Sequence, residues 1–208
     1  TPHNNLGIVY RDMKRYEEAI AAYEKAIALD ETYATPHNNL GIVYRDMKRY
    51  EEAIAAYEKT IALDETNAYP HNELGDVYRD MKRYEEAIAA YKKVGELEPN
   101  SAYSKTEIGL TYALQNQLDD AHSAWKDAFS LFEDENWDNL HKALYTLALG
   151  ESELGLQHLE TLLETGVEAE AIEAVLIDAD LLTQCPAPPV YVDDFISKLR
   201  AELQILQN

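Results

Sequence analysis

Residues 1–34 read TPHNNLGIVYRDMKRYEEAIAAYEKAIALDETYA, and residues 35–68 repeat them with two changes, Thr60 in place of Ala26 and Asn67 in place of Tyr33. Residues 69–102 keep the frame with more changes, and residues 103–136 keep its skeleton. The period is 34 throughout, with no insertion. A fixed period of this kind marks an array of small units that bury apolar surface against one another. Each unit holds two amphipathic segments joined by a short polar turn such as Met13-Lys14-Arg15. In the first segment Leu6, Gly7 and Tyr10 fall on one helical face at spacings of three and four. In the second, Tyr16, Ala19, Ile20, Tyr23, Ala26 and Ile27 do the same.

Small residues recur where the two helices of a unit would cross. Gly7, Gly41, Gly75 and Gly109 hold one such place, and Ala19, Ala53, Ala87 and Ala121 the other. Glycine costs about 1 kcal/mol in a helix interior relative to alanine, so its repetition in register calls for a packing reason. Thr1-Pro2 and Thr35-Pro36 read as an N-cap followed by proline in the first turn.

This pattern resembles the tetratricopeptide repeat, whose units show an aromatic, Leu-Gly, a Tyr, then Ala, an aromatic, Ala and Pro. Leu40-Gly41, Tyr44, Ala53, Tyr57 and Thr60 carry it in the second unit, and Ile108-Gly109, Tyr112, Ala121, Trp125 and Ala128 in the fourth. His3, His37 and His71 depart from it where Trp is usual, as do Lys14, Lys48 and Lys82 where the turn often has Gly; only Pro99 keeps the closing proline. The resemblance implies an all-α fold, a right-handed superhelix (α-solenoid) of antiparallel helix pairs. About twelve helices and no sheet are expected.

Four repeats are expected over 1–34, 35–68, 69–102 and 103–136, then a degenerate fifth hairpin over 137–170 with Ala143 and Gly155 at its small places and Gly150 at its turn. Residues 171–208 are expected to cap the array. A helix is read over 167–184, broken by Pro186, Pro188 and Pro189, and a last one from about Asp193 to Leu206 with an apolar stripe of Phe195, Leu199, Leu203 and Leu206. A terminal element with a polar outer face suits the end of a repeat stack. The chain starts at Thr1 inside the pattern and without Met, which reads as a piece of a longer protein. The first helix, lacking a cap, is expected to expose apolar surface and to favour self-association or end-to-end stacking.

The composition is that of a folded chain, 46% apolar and 27% charged, with a net charge of −21. That charge argues against nucleic acid, whose binders need a basic stripe, and against an anionic membrane surface. Residues 1–102 carry 13 basic and 19 acidic side chains, and residues 103–208 carry 5 and 20. Such an acidic half reads either as a solvated face or as a docking surface for a basic partner. Cys185 is alone, so no internal disulfide points to secretion. It reads as a small core residue. No apolar run approaches the ~18 residues of a membrane span, and a cytoplasmic location is expected.

No catalytic motif is present: G-x-S-x-G, H-E-x-x-H, C-x-x-C and G-x-G-x-x-G are all absent. No catalytic residue, metal or cofactor is therefore expected, and the chain is read as a non-enzyme. His3, His37 and His71 stand on successive first helices, roughly 8–10 Å apart by helix packing. Zinc needs nitrogens about 2 Å from one ion.

In the resembled family the first helix of each unit lines the concave face, which implies a peptide-binding groove. The candidate lining residues are Asn4, Asn5, Asn38, Asn39, Tyr69, Asn72, Asp76, Arg79, Tyr103, Leu110 and Trp137. The asparagines form a column of amides able to donate to and accept from an extended backbone; the alternative is that they solvate a helix face. Asn5 and Asn39 resemble the asparagine ladder of the O-linked N-acetylglucosamine transferase repeats, from which Glu73 and Glu107 depart. Arg11, Arg45 and Arg79 could clamp carboxylates, but pairing with Asp12, Asp46 and Asp80 of neighbouring units is favoured. The lysine-rich clamp of chaperone-tail binders is not reproduced.

One groove column runs Thr1, Thr35, Tyr69, Tyr103 and Trp137, turning aromatic where the repeats begin to diverge. Those rings either pack on the preceding helix or form a shelf for an apolar anchor of the partner. A partner segment with basic residues would suit Glu73, Asp76 and Glu107. The leading function is a protein–protein interaction scaffold that takes a peptide or protein segment. The alternative is the regulatory or sensing repeat array of a larger bacterial signalling enzyme, an ATPase or protease. The near-identity of the first two units fits recent duplication or engineering.

Overall fold

A computed structural model describes residues 1–131, 136–148, 150, 152–186, 188–189 and 191–207, without the side chains of 129, 136–138, 152 and 165. Among these residues there are twelve α-helices and no strand. They fall into two compact units, Thr1–Pro99 and Asn100–Asn208.

The first unit holds α1 (Pro2–Asp12), α2 (Tyr16–Leu29), α3 (Ala34–Asp46), α4 (Tyr50–Leu63), α5 (Tyr69–Asp80) and α6 (Tyr84–Leu97). Consecutive helices pair as hairpins, and the second helix of each hairpin packs on the first helix of the next. The crossing glycines have the packing reason the sequence asked for. A methyl group added to Gly7, Gly41 or Gly75 would lie under 3.0 Å from the ring of Tyr23, Tyr57 or Tyr91. These three tyrosines are fully buried.

The hairpin turns show what replaced glycine. Lys14, Lys48 and Lys82 take φ of 57°, 58° and 59°, the left-handed region that costs a non-glycine residue roughly 1–2 kcal/mol. The turn is held by two backbone bonds, Lys14 N–H to Arg11 O at 2.7 Å and Arg15 N–H to Tyr10 O at 2.8 Å. Those bonds satisfy carbonyls that a helix end leaves open. The Arg15 guanidinium then lies 4.6 Å from the centre of the Tyr10 ring, close enough for cation–π attraction. Arg49 and Arg83 repeat this over Tyr44 and Tyr78.

Thr1 caps α1, its hydroxyl accepting from Asn4 N–H at 3.3 Å. Thr35 does not cap α3. The chain entering that helix is already held by Asp30, whose Oδ1 accepts from Thr32 N–H at 3.0 Å and from its hydroxyl at 2.7 Å. The helix winds back to Ala34 and Thr35 lies inside it. In the third hairpin Asn67 takes the capping role, Oδ1 accepting from Tyr69 N–H at 3.0 Å.

Position along the stack decides burial. Leu40 and Val43 are 7% and 0% exposed under α2, whereas their counterparts Leu6 and Val9 are 43% and 52% exposed. The apolar surface expected on the first helix is present.

The second unit holds α7 (Ala102–Leu114), α8 (Leu118–Phe129), α9 (Asn136–Ala148), α10 (Ser152–Thr165), α11 (Ala169–Leu182) and α12 (Val192–Leu206). They share one apolar core built from Leu110, Trp125, Leu144, Leu159, Ile172, Phe195 and their neighbours. Trp125 takes the place of the tyrosines against Gly109. In the hairpin of α9 and α10 the roles change: a methyl on Gly155 would lie 2.8 Å from Ala143 O and 2.7 Å from Leu147 N. The backbones themselves meet there. Phe195 and Leu199 of the expected last helix are fully buried, Leu203 packs against the core and Leu206 is exposed. Cys185 is buried.

Candidate functional site

In the first unit the residues that distinguish α5 from α1 and α3 meet at one place. Tyr69 replaces Thr, Glu73 replaces Asn and Asp76 replaces Ile. The side chain of Glu73 is buried and accepts from three elements: Arg45 Nη1 of α3 at 2.5 Å, the Tyr57 hydroxyl of α4 at 3.1 Å and the Tyr69 hydroxyl of its own helix. Asp76 lies beside it. Its Oδ2 is 3.4 Å from Arg45 Nη1, and its Oδ1 accepts from Arg79 Nη2 at 3.0 Å and from the Tyr91 hydroxyl at 2.7 Å.

Burial pushes the Glu73 carboxyl above the ordinary carboxylate range, against the pull of Arg45. Burial and the Glu73 charge push the Tyr69 phenol up to about 12. Two cations and two carboxylates offset one another here. The Tyr69 ring is 48% exposed while its hydroxyl is tied to Glu73, so it offers an oriented aromatic surface.

The asparagine column is split. Asn4 and Asn39 are buried, and Asn39 Nδ2 donates to Asn4 Oδ1 at 3.0 Å. Asn5 is exposed, while Asn38 and Asn72 are half-buried. The Asn38 Oδ1 is enclosed without a hydrogen-bond partner among the described residues. Arg11 pairs at 3.1 Å with Asp12 in its own hairpin rather than a neighbouring one, Arg45 reaches Glu73 and Asp76 of the next hairpin, and Arg79 pairs with Asp76. The two carboxylates introduced by the third hairpin hold Arg45 in an enclosed place where attraction is stronger.

The remaining candidates fall in the second unit. Tyr103 is half-buried at the start of α7. Leu110 is fully buried and belongs to the core; it offers no surface to a ligand. Trp137 lies on α9 with its side chain outside the described residues. Glu107, read as a contact for a basic partner, is buried like Glu73.

The sequence reading missed one buried polar group in this unit. Tyr145 OH donates to Asp178 Oδ2 at 2.6 Å, and His141 Nε2 lies 3.5 Å from the same oxygen. Burial, then the Asp178 charge, raises the Tyr145 phenol well above its ordinary value. The signal was Asp178 itself, a lone acid inside the apolar stripe of Ile172, Val175, Ala179 and Leu182. No group of three or more His, Cys, Asp or Glu that could hold a metal occurs among the described residues. No described helix is long and apolar enough to cross a membrane.

Hairpins of 34 residues, closed by a glycine against a buried aromatic ring and joined through a left-handed corner, define a helical repeat protein. Two family models described as tetratricopeptide repeat match the chain, one over residues 1–66 and again over 32–97, the other over 72–130. The chain belongs to the tetratricopeptide repeat family. No curated protein matches it. Among solved structures, PilF of Pseudomonas aeruginosa aligns at 21% identity and a TM-score of 0.64, over 99% of this chain and 90% of its own. YrrB, a protein of the same repeat class with an unusual peptide-binding site, aligns at 22% and 0.54, over 83% and 90%. The first repeat domain of Spaghetti (RPAP3), bound to the HSP90 peptide SRMEEVD, aligns at 24% and 0.51, over 55% and 90%.

Proposed function

We propose that this chain is a protein–protein interaction scaffold whose first unit takes an extended segment of a partner along the open side of α1, α3 and α5. The observation that carries this reading is the exposed Tyr69 ring, whose hydroxyl is held by the buried Glu73 next to Asp76. Aromatic rings supply large contact area at low entropy cost and dominate binding hot spots. Asn38 lies on α3 and Asn72 on the ring's own helix, both half-buried, and an amide can donate to and accept from a peptide backbone. With Glu73 engaged by Arg45, an apolar or cationic side chain laid on the Tyr69 face fits better than one reaching for the carboxylate. Peptide binding by YrrB and by the Spaghetti domain agrees with this use of the fold.

A random dodecapeptide phage library selected on the immobilised chain tests it. Enriched peptides should carry apolar and basic residues, and Tyr69→Ala should weaken them by about 2 kcal/mol, as at a hot spot. No enrichment, or equal binding to the Tyr69→Ala chain, refutes the proposal.

A further inference from the structure

In the second unit the face of α7 that corresponds to the open side of α3 and α5 is closed. Thr106, Leu110 and Ala113 stand at the register of Asn38, Ile42 and Arg45, and of Asn72, Asp76 and Arg79. Those six residues are half-buried, whereas Thr106, Leu110 and Ala113 are 2%, 0% and 2% exposed. The change of Arg to Ala at the third place is a loss of both charge and bulk.

Helix α11 packs on both α7 and α9. In a regular repeat stack each hairpin meets only its neighbours, so contact between the first and third hairpins of this unit is an added feature. The corner after α11 reaches the place vacated by arginine. Ala113, Leu182, Cys185 and Pro189 line one small cavity there of about 70 Å³. Helix α11 is amphipathic: Ile172, Val175, Ala179 and Leu182 are buried, while Glu170, Glu173 and Ile177 are exposed. An apolar stripe laid in a groove is the way a helical ligand is held. Asp178 sits within that stripe, accepting from Tyr145 and beside His141 of α9. Well-packed apolar residues often serve a permanent core as well as a buried charged pair does, and in some proteins such a group fixes register or partner instead.

We propose that the α7–α9 face is a helix-binding groove that the chain holds closed with its own α11. Its partner, when α11 is displaced, is a helix of another protein with the same key: aliphatic residues at the places of Ile172, Val175 and Leu182 and an aspartate at that of Asp178. This inference is independent of the reading of the first unit.

A fluorescein-labelled peptide of residues 167–184 is the probe. Weakening the internal helix should raise the affinity for the external one, because a ligand's apparent affinity scales with the open fraction. The full chain carrying Asp178→Ala should bind the peptide at least about tenfold more tightly than the native chain. The same peptide with Asp178→Ala should bind the variant chain correspondingly more weakly. Equal affinities for the two chains, or no binding to either while far-UV circular dichroism shows the helices retained, overturns the proposal. So does a concentration-dependent dimer of the Asp178→Ala chain without peptide uptake, which assigns the groove to a second copy. Should the variant fail to fold, hydrogen exchange on the native chain decides. Amides of α11 and α12 should lose protection together while α7 to α10 stay closed; exchange of α11 only with the whole unit overturns the idea.

Discussion

Gly41→Ala isolates the packing that defines these hairpins. In an unconstrained helix the change would stabilise by about 0.8–1.0 kcal/mol, because alanine is the better helix former. Here the added methyl would lie under 3.0 Å from three atoms of the Tyr57 ring. The ring is fully buried and its hydroxyl donates to Glu73 at 3.1 Å. It cannot retreat to ordinary contact without straining that bond, and overpacking of a tight core costs about 1–3 kcal/mol. A hydrogen bond to a charged group contributes roughly 1.5–3 kcal/mol, so its partial loss adds to the penalty. The net expectation is destabilisation by about 1–3 kcal/mol once the propensity gain is subtracted. Gly7→Ala is the control, because its local sequence is the same. The Tyr23 hydroxyl has no hydrogen-bond partner among the described residues, so its ring moves without straining a bond and the loss should be smaller. Urea unfolding followed by far-UV circular dichroism measures both. A Gly41→Ala chain as stable as the parent, or an equal loss from Gly7→Ala, refutes the reasoning.

Lys48→Gly should stabilise by about 1 kcal/mol, since φ of 58° strains lysine and not glycine; a lower urea midpoint would contradict it. Glu73→Gln tests the buried carboxylate through pH. Its folded pKa is raised by burial, so the stability it contributes is full below the unfolded carboxylate value and is lost as pH rises through the folded one. The Gln variant should therefore improve relative to the parent between pH 4 and pH 7, with Arg45 still held by Asp76; a difference in Tm that is flat, or that moves the other way, refutes this. Asp178→Asn should lower the stability of the second unit by about 1–3 kcal/mol by disturbing the buried bond from Tyr145, and an unchanged unfolding curve would show that bond to be idle.

The period of 34, the paired helices and the glycine at each crossing were legible in the sequence, because amphipathic spacing and helix-breaking residues act over one or two turns of chain. So was the change to an aromatic at Tyr69, which the structure leaves half exposed. The partners of the polar residues were not legible. Arg11 and Arg45 sit in near-identical sequence, yet one pairs with Asp12 and the other with Glu73 and Asp76. Asn5 and Asn39 likewise differ, one exposed and one bonded to Asn4. Each outcome depends on which hairpin lies next in the stack, and a repeated motif carries no mark of its neighbour. The burial of Leu110 in the core of the second unit belongs to the same class. Period and amphipathicity determine where helices form and which stripe of each is apolar. Only tertiary packing decides which stripe meets which, because burial is a property of two surfaces and the second one is far away in the chain.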